Sequence, residues 1–325
     1  MRQLLVHAKS FARIEEALKP YSDQISPLVL DDEGHLNHPW GESEASGAIA
    51  YGTTDAYFSS SVMVFFQTLF GLPKLDWFQS SAAGTEHPMI QATGKKADVF
   101  TGSHEQSAAI AEWLLWAGLD FFQGGRERRQ AQAVEDWARL PFREISNTRW
   151  MIVGFGAIGQ ATGLRLKALG ADVTGVRRSG GTALEADRIM TPDEMRQALP
   201  EMDAVMLSLP LTDATENMAD ADFFAAMKPG ALFVNVGRGG LVDEAALLNA
   251  LDAGPPEAAY LDVVREEPLP AGNPIWHHPK VTLTPHIAAL TEESKRRTDQ
   301  VFLENLKRFL EGAPMRNLVG KDVFS

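Results

Sequence analysis

The second half of this 325-residue chain alternates short apolar segments with helical stretches, and that alternation limits its fold more than any other feature. Apolar segments of this length are typical of strands in a parallel sheet with helices on both faces. Helices are expected between the strands, one beginning at the capping box Thr191–Glu194 and another at Asp243. The predicted strands are Arg149–Val153, Asp172–Val176, Ala204–Leu207, Ala231–Val236, Ala258–Leu261 and Val281–Thr284.

The first 102 residues carry a weaker form of the same alternation. Short strands are predicted at Gln3–His7, Pro27–Leu30, Ala48–Tyr51, Leu75–Gln79 and Asp98–Phe100, with helical stretches at Arg13–Leu18 and Ser61–Phe70. A long helix follows, because apolar residues recur at three- to four-residue spacing from Ile110 to Phe121. We expect Gly124 and Gly125 to end it, before a charged, helix-breaking stretch that leads to Pro141.

The composition excludes several functional classes. With 43 acidic and 30 basic residues the net charge is -13, which argues against nucleic acid or an anionic membrane as partner. The chain has no cysteine, which excludes disulfides, thiol catalysis and cysteine-bound metals, and we expect no metal site at the adjacent His277 and His278. No apolar run approaches the roughly 20 residues of a membrane helix, and the first residues do not resemble a secretion signal. A cytoplasmic protein is therefore expected.

A glycine pattern follows the first of the six strands. Residues 154–159 fit G-x-G-x-x-G, with the apolar strand before them and the helical stretch Ile158–Leu169 after them. In this setting the glycines allow a tight turn, close approach of a pyrophosphate and close packing of helix on strand, while the helix N-terminus offers free N–H groups. The pattern predicts a dinucleotide-binding site with contacts from Gly154, Gly156, Ala157, Ile158 and Gly159.

The end of the second strand indicates which dinucleotide is bound. An NAD site has an acid there for the ribose 2′-hydroxyl, but this chain has Arg177, Arg178 and Ser179. Because a guanidinium matches a phosphate group in a bidentate geometry, we expect NADP to be preferred over NAD, through Arg177 with Arg178 as the second candidate.

Three reactive side chains follow later strands. Arg238, Glu267 and His286 should reach the carboxyl edge of the sheet, where ligands bind. An imidazole can exchange a proton near neutral pH, and a carboxylate beside it favours the protonated ring and orients it. A guanidinium can bind a carboxylate and stabilise charge on a carbonyl oxygen. Together these groups suit hydride reduction of a 2-keto acid.

The chain resembles the D-isomer-specific 2-hydroxyacid dehydrogenase family over roughly residues 75–314. The likeness is densest in VGFGAIGQ (153–160), SLPLTDATENM (208–218), FFAAMKPGALFVNVGRGGLVDE (223–244), LDVVREEPLP (261–270) and NPIWHHPKVTLTPHIA (273–288). The resemblance implies that Arg238, Glu267 and His286 are the catalytic residues. It also implies that Asp262 lies near the nicotinamide carboxamide. Further cofactor contacts are implied for Leu209, Pro210, Thr215, Val236, Gly237, His286 and Ala288.

The resemblance also implies a domain organisation. A Rossmann-type doubly wound parallel sheet, residues 103–288, is inserted in a smaller flavodoxin-like α/β substrate domain, residues 1–102 and 289–325. The last helix, Glu292–Leu310 with Thr291 and Gly312 as its caps, completes the substrate domain. Substrate binding is implied for Arg238 and for backbone amides of the loop Ser81, Ala82, Ala83 and Gly84. Family analogy also suggests a homodimer built on the nucleotide-binding domain.

Several functions fit this resemblance. The leading one is an NADPH-dependent reductase of glyoxylate, hydroxypyruvate or a similar small 2-keto acid. D-3-phosphoglycerate dehydrogenase fits less well, because of the arginines after the second strand, and Glu267 argues against formate dehydrogenase. A dinucleotide-sensing interaction protein of the same fold stays open. The loop Tyr51–Asp55 either reaches the substrate or is an ordinary surface loop.

Overall fold

The computed structural model describes residues 1–40, 46–82 and 84–324. The chain divides into two compact units, unit 1 (Met1–Gln106 with Leu290–Ser325) and unit 2 (Ser107–Ala289). The divisions expected from the sequence were at residues 102/103 and 288/289. Each unit contains a mainly parallel sheet with helices, so the predicted α/β fold class is confirmed.

The described residues of the first part of unit 1 form a six-stranded sheet with four helices. The strand order is β3-β2-β1-β4-β5-β6, parallel except for β3 at the edge. Without β3 this is the flavodoxin order. The strands are β1 (Arg2–His7), β2 (Ile25–Leu30), β3 (Leu36–Asn37), β4 (Ala48–Gly52), β5 (Trp77–Ser80) and β6 (Val99–Thr101), and the helices are α1 (Ala8–Leu18), α2 (Thr54–Tyr57), α3 (Val62–Gly71) and α4 (Pro88–Lys96).

Unit 2 is a seven-stranded parallel sheet in the order β13-β12-β11-β10-β7-β8-β9. The order reverses between β7 and β10, and ligands bind at such a point in doubly wound sheets. The strands are β7 (Arg149–Val153), β8 (Asp172–Val176), β9 (Arg188–Met190), β10 (Ala204–Leu207), β11 (Leu232–Asn235), β12 (Ala258–Leu261) and β13 (Val281–Leu283). The helices are α5 (Ser107–Phe122), α6 (Gly125–Ala133), α7 (Ala157–Ala168), α8 (Pro192–Ala198), α9 (Ala221–Ala226) and α10 (Glu244–Ala253).

Alternate residues of the strands in unit 2 build two apolar cores, one on each face of the sheet. Met151 and Val153 belong to one core, and Trp150 and Ile152 to the other. Burial on both faces explains why these strands are apolar throughout rather than alternating.

The long helix ends at the glycine pair, as predicted, because α5 ends at Phe122 and Gly124 has a φ of +66°. The helix-breaking stretch expected after it is wrong, since α6 begins at Gly125. The residues of α6 (GRERRQAQA) are mostly arginine, glutamate, glutamine and alanine, which are good helix formers.

The C-terminal helix α11 (Glu292–Glu311) belongs to unit 1. Thr291 caps its N-terminus by accepting the Ser294 N–H, and Gly312, at a φ of +68°, ends it. Its buried Phe302 stacks on Tyr51 of β4, with ring centroids 4.2 Å apart. The helix is thereby fixed on the same face of the unit 1 sheet as α1.

A buried ionic network joins α1, α2 and α11. Arg13 contacts the carboxylates of Asp55 and Asp299, each at 2.6 Å, and both carboxylates are at least nine-tenths buried. The Tyr51 hydroxyl donates to Asp299 at 2.8 Å, and Lys295 lies 3.1 Å from Asp55. The loop Tyr51–Asp55 is therefore not an ordinary surface loop.

Candidate active site

Of the three glycines of the turn between β7 and α7, only Gly156 has open space beside its Cα atom. A Cβ on Gly154, which has a φ of +94°, would lie 2.7 Å from the carbonyl carbon of Ser208. A Cβ on Gly159 would lie 2.8 Å from the carbonyl oxygen of Gly154, so helix and strand pack closely there. A Cβ on Gly156 would meet no atom within 4 Å. The open side of the turn is thus at the second glycine, where a pyrophosphate approaches the backbone.

The first turn of α7 provides the donors for such a group. Ala157, Ile158 and Gly159 are its first residues, and the N–H groups of a first helical turn have no acceptor within the helix. They also lie at the positive end of the helix dipole. The residues of this turn therefore fit a dinucleotide pyrophosphate.

The two arginines after β8 differ in what their side chains do. Arg177 is half-buried, and it donates to the carbonyl oxygens of Gly180 (2.8 Å) and Thr182 (3.0 Å) in its own loop. Arg178 and Ser179 are exposed. The Arg177 guanidinium is therefore hydrogen-bonded within its own loop, whereas the Arg178 side chain faces solvent.

The next loop predicted to contact the cofactor, between β10 and α9, packs on the glycine turn. Ser208 donates its hydroxyl to the carbonyl oxygen of Gly154 at 2.9 Å. Thr215 accepts the Thr212 N–H at 2.8 Å and contacts the Pro210 carbonyl oxygen at 2.9 Å, which folds this loop on itself. Leu209 is half-buried beside the same turn.

Asn235 fixes the loop that carries Arg238. Its side chain is buried at the end of β11, where it accepts the Gly237 N–H (3.0 Å) and donates to the Arg238 carbonyl oxygen (2.9 Å). Arg238 is half-buried, and its Nη1 donates to the Gly237 carbonyl oxygen at 2.7 Å. Buried Val236 precedes this loop. No role was predicted for Asn235, although an asparagine at a strand end is a common signal of a side-chain-bonded turn.

The structure brings Glu267 and His286 together. The Oε2 atom of Glu267 lies 2.7 Å from Nδ1 of His286, and its Oε1 accepts the Val264 N–H at 3.1 Å. His286 has a φ of +56°, a region that few residues other than glycine adopt. The pair is thus held by a specific backbone conformation, and the Nε2 edge of the ring is directed away from Glu267.

Neighbouring groups hold the pKa of Glu267 below its ordinary value. Partial burial acts in the opposite direction and is the largest single influence, but it is outweighed by the hydrogen bond with His286 and the positive charge of that ring. The Val264 N–H and the charge of Arg238 lower the pKa further. Glu267 is therefore a carboxylate at neutral pH, and Arg238 acts electrostatically on the same group as His286.

Asp262, which the resemblance places near the nicotinamide carboxamide, is bonded to the loop of His286. It is 3% exposed, and its carboxylate accepts the Thr284 hydroxyl, the Ile287 N–H (2.9 Å) and the Ala288 N–H (2.9 Å). Its carbonyl oxygen accepts the His286 N–H at 2.8 Å. These bonds brace the histidine loop.

The predicted substrate loop lies in unit 1, directly after β5. Ser81 is buried and donates its N–H to the Gly52 carbonyl oxygen at 2.8 Å, and the Ala82 N–H donates to the Ser80 hydroxyl at 3.1 Å. Gly84 is half-buried. Ala83, the fourth predicted residue of this loop, lies outside the described residues.

Neither a membrane-spanning helix nor a metal-binding cluster is present in the part of the chain that the structure describes. Within residues 1–40, 46–82 and 84–324, no helix has the length and apolar character needed to cross a membrane. In the same ranges, no group of three or more histidine, aspartate or glutamate side chains is arranged to hold a metal ion.

Sequence comparisons agree with this geometry. The family model for "D-isomer specific 2-hydroxyacid dehydrogenase, NAD binding domain" matches residues 115–288. A hydroxypyruvate reductase of Blautia hydrogenotrophica is 36% identical over 188 residues, which are 57% of this chain and 58% of that protein. A glycerate dehydrogenase of Methylorubrum extorquens is 34% identical over 262 residues, which are 76% of this chain and 80% of that protein. The chain spans only 48% and 60% of two other curated relatives.

A structural comparison extends the likeness to the whole chain. The crystal structure of a D-isomer specific 2-hydroxyacid dehydrogenase from Xanthobacter autotrophicus Py2, in complex with NADPH and MES, matches with a TM-score of 0.77. The identity is 26%, and the match covers 100% of this chain and 99% of that one. With the family match across the glycine turn and the Arg238, Glu267 and His286 loops, the protein is a member of the D-isomer specific 2-hydroxyacid dehydrogenase family.

Proposed function

We propose that this protein reduces a small 2-keto acid to the D-2-hydroxy acid with NADPH. The observation that carries the proposal is the His286–Glu267 pair at 2.7 Å, with the charge of Arg238 acting on the same carboxylate. Relatives named hydroxypyruvate reductase and glyoxylate/hydroxypyruvate reductase support glyoxylate and hydroxypyruvate as the first substrates to test.

His286 is the proton donor in this reaction. Bound NADPH supplies the hydride to the carbonyl carbon, and the carbonyl oxygen must gain a proton. Because Nδ1 of His286 is bonded to Glu267, the proton leaves from Nε2. Glu267 orients the ring and stabilises its charged form. In the oxidation direction the neutral ring takes the proton back.

Arg238 binds the substrate carboxylate and stabilises the negative charge that develops on the carbonyl oxygen. Asn235 keeps its backbone in place. Of the loop predicted to bind the substrate carboxylate, the N–H groups of Ser81 and Ala82 already donate to acceptors within unit 1, so the proposal assigns the carboxylate to Arg238. Unit 2 is assigned as the dinucleotide-binding domain, and unit 1 keeps its predicted role as the substrate domain.

The preference for NADPH is assigned to the arginines after β8. Arg178 is exposed at this edge and is the better candidate for the 2′-phosphate, while Arg177 holds the loop through Gly180 and Thr182. An NADPH complex of a structural relative supports the same cofactor. The pyrophosphate is assigned to Gly156, Ala157, Ile158 and Gly159, and the nicotinamide end to the loops of Val236, Gly237 and Ala288.

A homodimer is proposed to form through an exposed arm of unit 2, residues 134–144. The arm has no regular secondary structure, and its large side chains face outwards: Trp137 is 91% exposed, Val134 74% and Phe142 55%. Residues 123–145 contain five arginines and four acids, so this region is nearly neutral. Elsewhere the chain is acidic, with a net charge of -13 overall, and two copies repel each other. An exposed apolar region of this kind is typical of an interface.

Steady-state kinetics test the proposed activity. Initial rates are measured with glyoxylate, hydroxypyruvate, pyruvate and a bulkier 2-keto acid, each with NADPH and with NADH. We expect turnover of at least one of the small acids and a higher kcat/KM with NADPH. Absence of turnover with all four acids, while NADPH still binds, would favour a dinucleotide-sensing interaction protein instead.

A further inference from the structure

Arg265 connects the loop that carries Arg238 to the loop that carries Glu267. It lies in the Glu267 loop, but its guanidinium reaches back to the chain that follows Arg238. There its Nη2 donates to the carbonyl oxygens of Gly240 (3.3 Å) and Val242 (3.0 Å). The two loops come from different strands, β11 and β12, and so Arg265 links positions that are distant in the sequence.

The same two loops are in backbone contact at Gly239. A Cβ on Gly239 would lie 1.9 Å from the carbonyl carbon of Val264 and 2.3 Å from the nitrogen of Arg265. The Arg265 N–H donates to Oε1 of Glu244, at the start of α10, at 2.6 Å. The backbone of Arg265 therefore packs against the Arg238 loop at Gly239. The Arg265 side chain is hydrogen-bonded to the residues that follow Gly239 in the same loop, Gly240 and Val242.

A third loop completes the arrangement. The guanidinium also donates to Oδ1 of Asn217 and lies 3.4 Å from Oε1 of Glu216, both in the loop between β10 and α9. The Asn217 N–H donates to the Gly240 carbonyl oxygen at 2.9 Å, so Asn217 and Arg265 converge on one acceptor. The Arg265 side chain is still 40% exposed. Its exposure is that of a surface residue, but four acceptors on two stretches of chain hold it.

We infer that Arg265 is a positioning residue, which keeps Arg238 in register with the Glu267–His286 pair. The inference rests on the proposed function, because it assigns Arg265 an effect on turnover through Arg238. Productive geometry in an active site is sensitive to shifts of about 1 Å, which can lower rates by about 100-fold. A side chain that links the two loops is placed to prevent such a shift.

Substitution of Arg265 tests the inference by kinetics. Arg265→Ala is expected to lower kcat for 2-keto acid reduction about 5- to 100-fold, with the dissociation constant of NADPH changed less than twofold. Arg265→Lys keeps the charge but cannot reach all four acceptors, so its kcat should lie between those of the wild type and Arg265→Ala. Arg149→Ala is the matched control, because Arg149 is also about half-exposed and paired with a glutamate, but at the other end of β7. A kcat for Arg265→Ala equal to that of the control overturns the inference.

A double-mutant cycle separates positioning from a general loss of structure. If Arg265 acts through Arg238, then Arg265→Ala should have little further effect on kcat in an Arg238→Lys background. Full additivity of the two effects would contradict the inference.

Hydrogen exchange gives a readout that does not depend on turnover. In Arg265→Ala, peptides covering residues 237–243 and 263–268 should take up deuterium faster than in the wild type and in Arg149→Ala, while the rest of unit 2 stays unchanged. Unchanged exchange in both peptides overturns the inference. If the wild-type protein reduces no 2-keto acid, the proposed function fails, and exchange still decides whether Arg265 holds the two loops.

Discussion

Nδ1 of His286 and Oε2 of Glu267 are 2.7 Å apart, in loops that follow two neighbouring strands of unit 2. The loop of His286 is itself held by Asp262 through its backbone. In the proposed reaction, this relationship makes the Nε2 edge of His286 the place where a proton is exchanged.

His286→Ala is expected to lower kcat for reduction by about 100- to 10,000-fold, the usual contribution of a positioned acid–base group. NADPH affinity should change little, because the pyrophosphate turn lies at β7. Initial rates and fluorescence titration measure the two quantities. His35→Ala is the control, since His35 is an exposed histidine that also pairs with a carboxylate, Asp31 at 3.3 Å. Near-normal reduction by His286→Ala would show that the assignment is wrong.

Glu267→Gln should lower kcat for reduction by about 10- to 150-fold, because hydrogen bonds to charged groups contribute about 1.5–3 kcal/mol. The amide keeps the size of the side chain but removes the negative charge that lies 2.7 Å from Nδ1 of His286. Initial rates at neutral pH measure the change. An unchanged kcat in Glu267→Gln would mean that the carboxylate does not support the role of His286.

The charge of Glu267 should set the lower pH limit of the reduction. Because the pKa of Glu267 is held below its ordinary value, the carboxylate keeps its charge as pH falls through the usual range for glutamate. Its contribution to orienting His286 is lost only when pH falls through that lowered pKa. We therefore expect reduction to persist to about pH 4 in a protein that is still folded, given ordinary glutamate values near 4.3. Loss of activity above pH 5 without unfolding would contradict this.

Arg178→Ala should weaken NADPH binding on the order of 10- to 150-fold, because hydrogen bonds to charged groups contribute about 1.5–3 kcal/mol. NADH binding should be unaffected. Arg177→Ala should have a smaller effect, through the loop that this residue holds. Titrations of both variants with both cofactors decide between the two arginines. A wild-type kcat/KM as high with NADH as with NADPH would exclude the proposed preference.

Removal of Arg13 should destabilise unit 1. Arg13→Met leaves the buried carboxylate of Asp299 without its cation and Asp55 with Lys295 alone, and breaking a buried pair typically costs about 3–5 kcal/mol. Lys19→Met, which removes an exposed pair with Glu16, is the control. Urea unfolding followed by tryptophan fluorescence measures both. An equal, small effect for the two variants would show that the network contributes no more than a surface ion pair.

The cost of Arg13→Met should depend on pH with a defined sign. Burial raises the pKa of Asp55, but hydrogen bonds from Arg13 and Lys295 outweigh it and hold the pKa below its ordinary value. Stability from this group is thus present above the ordinary pKa and is lost as pH falls through the lowered one. The Asp55 part of the difference between wild type and variant should therefore be largest above about pH 5 and should shrink below about pH 4. Burial raises the pKa of Asp299 even beside Arg13, so, as pH falls, its part of the difference should be lost at higher pH than that of Asp55.

Trp137→Asp is expected to convert a dimer to a monomer, because it places a charge in the proposed interface. Sedimentation velocity measures the change. Leu184→Asp is the matched control, since Leu184 is 92% exposed in unit 2 but lies outside the arm. The proposed interface would be refuted by a wild-type protein that is monomeric at micromolar concentration. It would also be refuted by a dimer that both variants leave intact.

The fold of unit 2 was largely predictable because its strands are apolar throughout. Four of its strands have the predicted bounds, such as Arg149–Val153 and Ala204–Leu207. The strand β9 was missed, because Arg188–Met190 is only three residues long and begins with a charge. In unit 1 the helix α4, which begins at Pro88, was also missed, since its residues have no strong apolar periodicity.

The candidate functional residues could be identified from the sequence, but most of their hydrogen-bond partners could not. The pairing of Glu267 with His286 follows from their places after neighbouring strands. The bonds of Asp262 to the histidine loop, and of Arg177 to its own loop, depend on loop conformations such as the positive φ of His286. No sequence spacing encodes these conformations, and so the roles of Asp262, Asn235 and Arg265 became visible only in the structure.

The most direct test of the proposed reaction is deuteride transfer. Hydroxypyruvate is reduced with NADPH that carries deuterium on the transferred position of C4, and the product is analysed for isotope content and chirality. The account predicts D-glycerate with one deuterium at C2 per NADPH oxidised, at a rate that His286→Ala lowers by at least about 100-fold. L-glycerate, or NADPH oxidation without deuterium at C2, would contradict it.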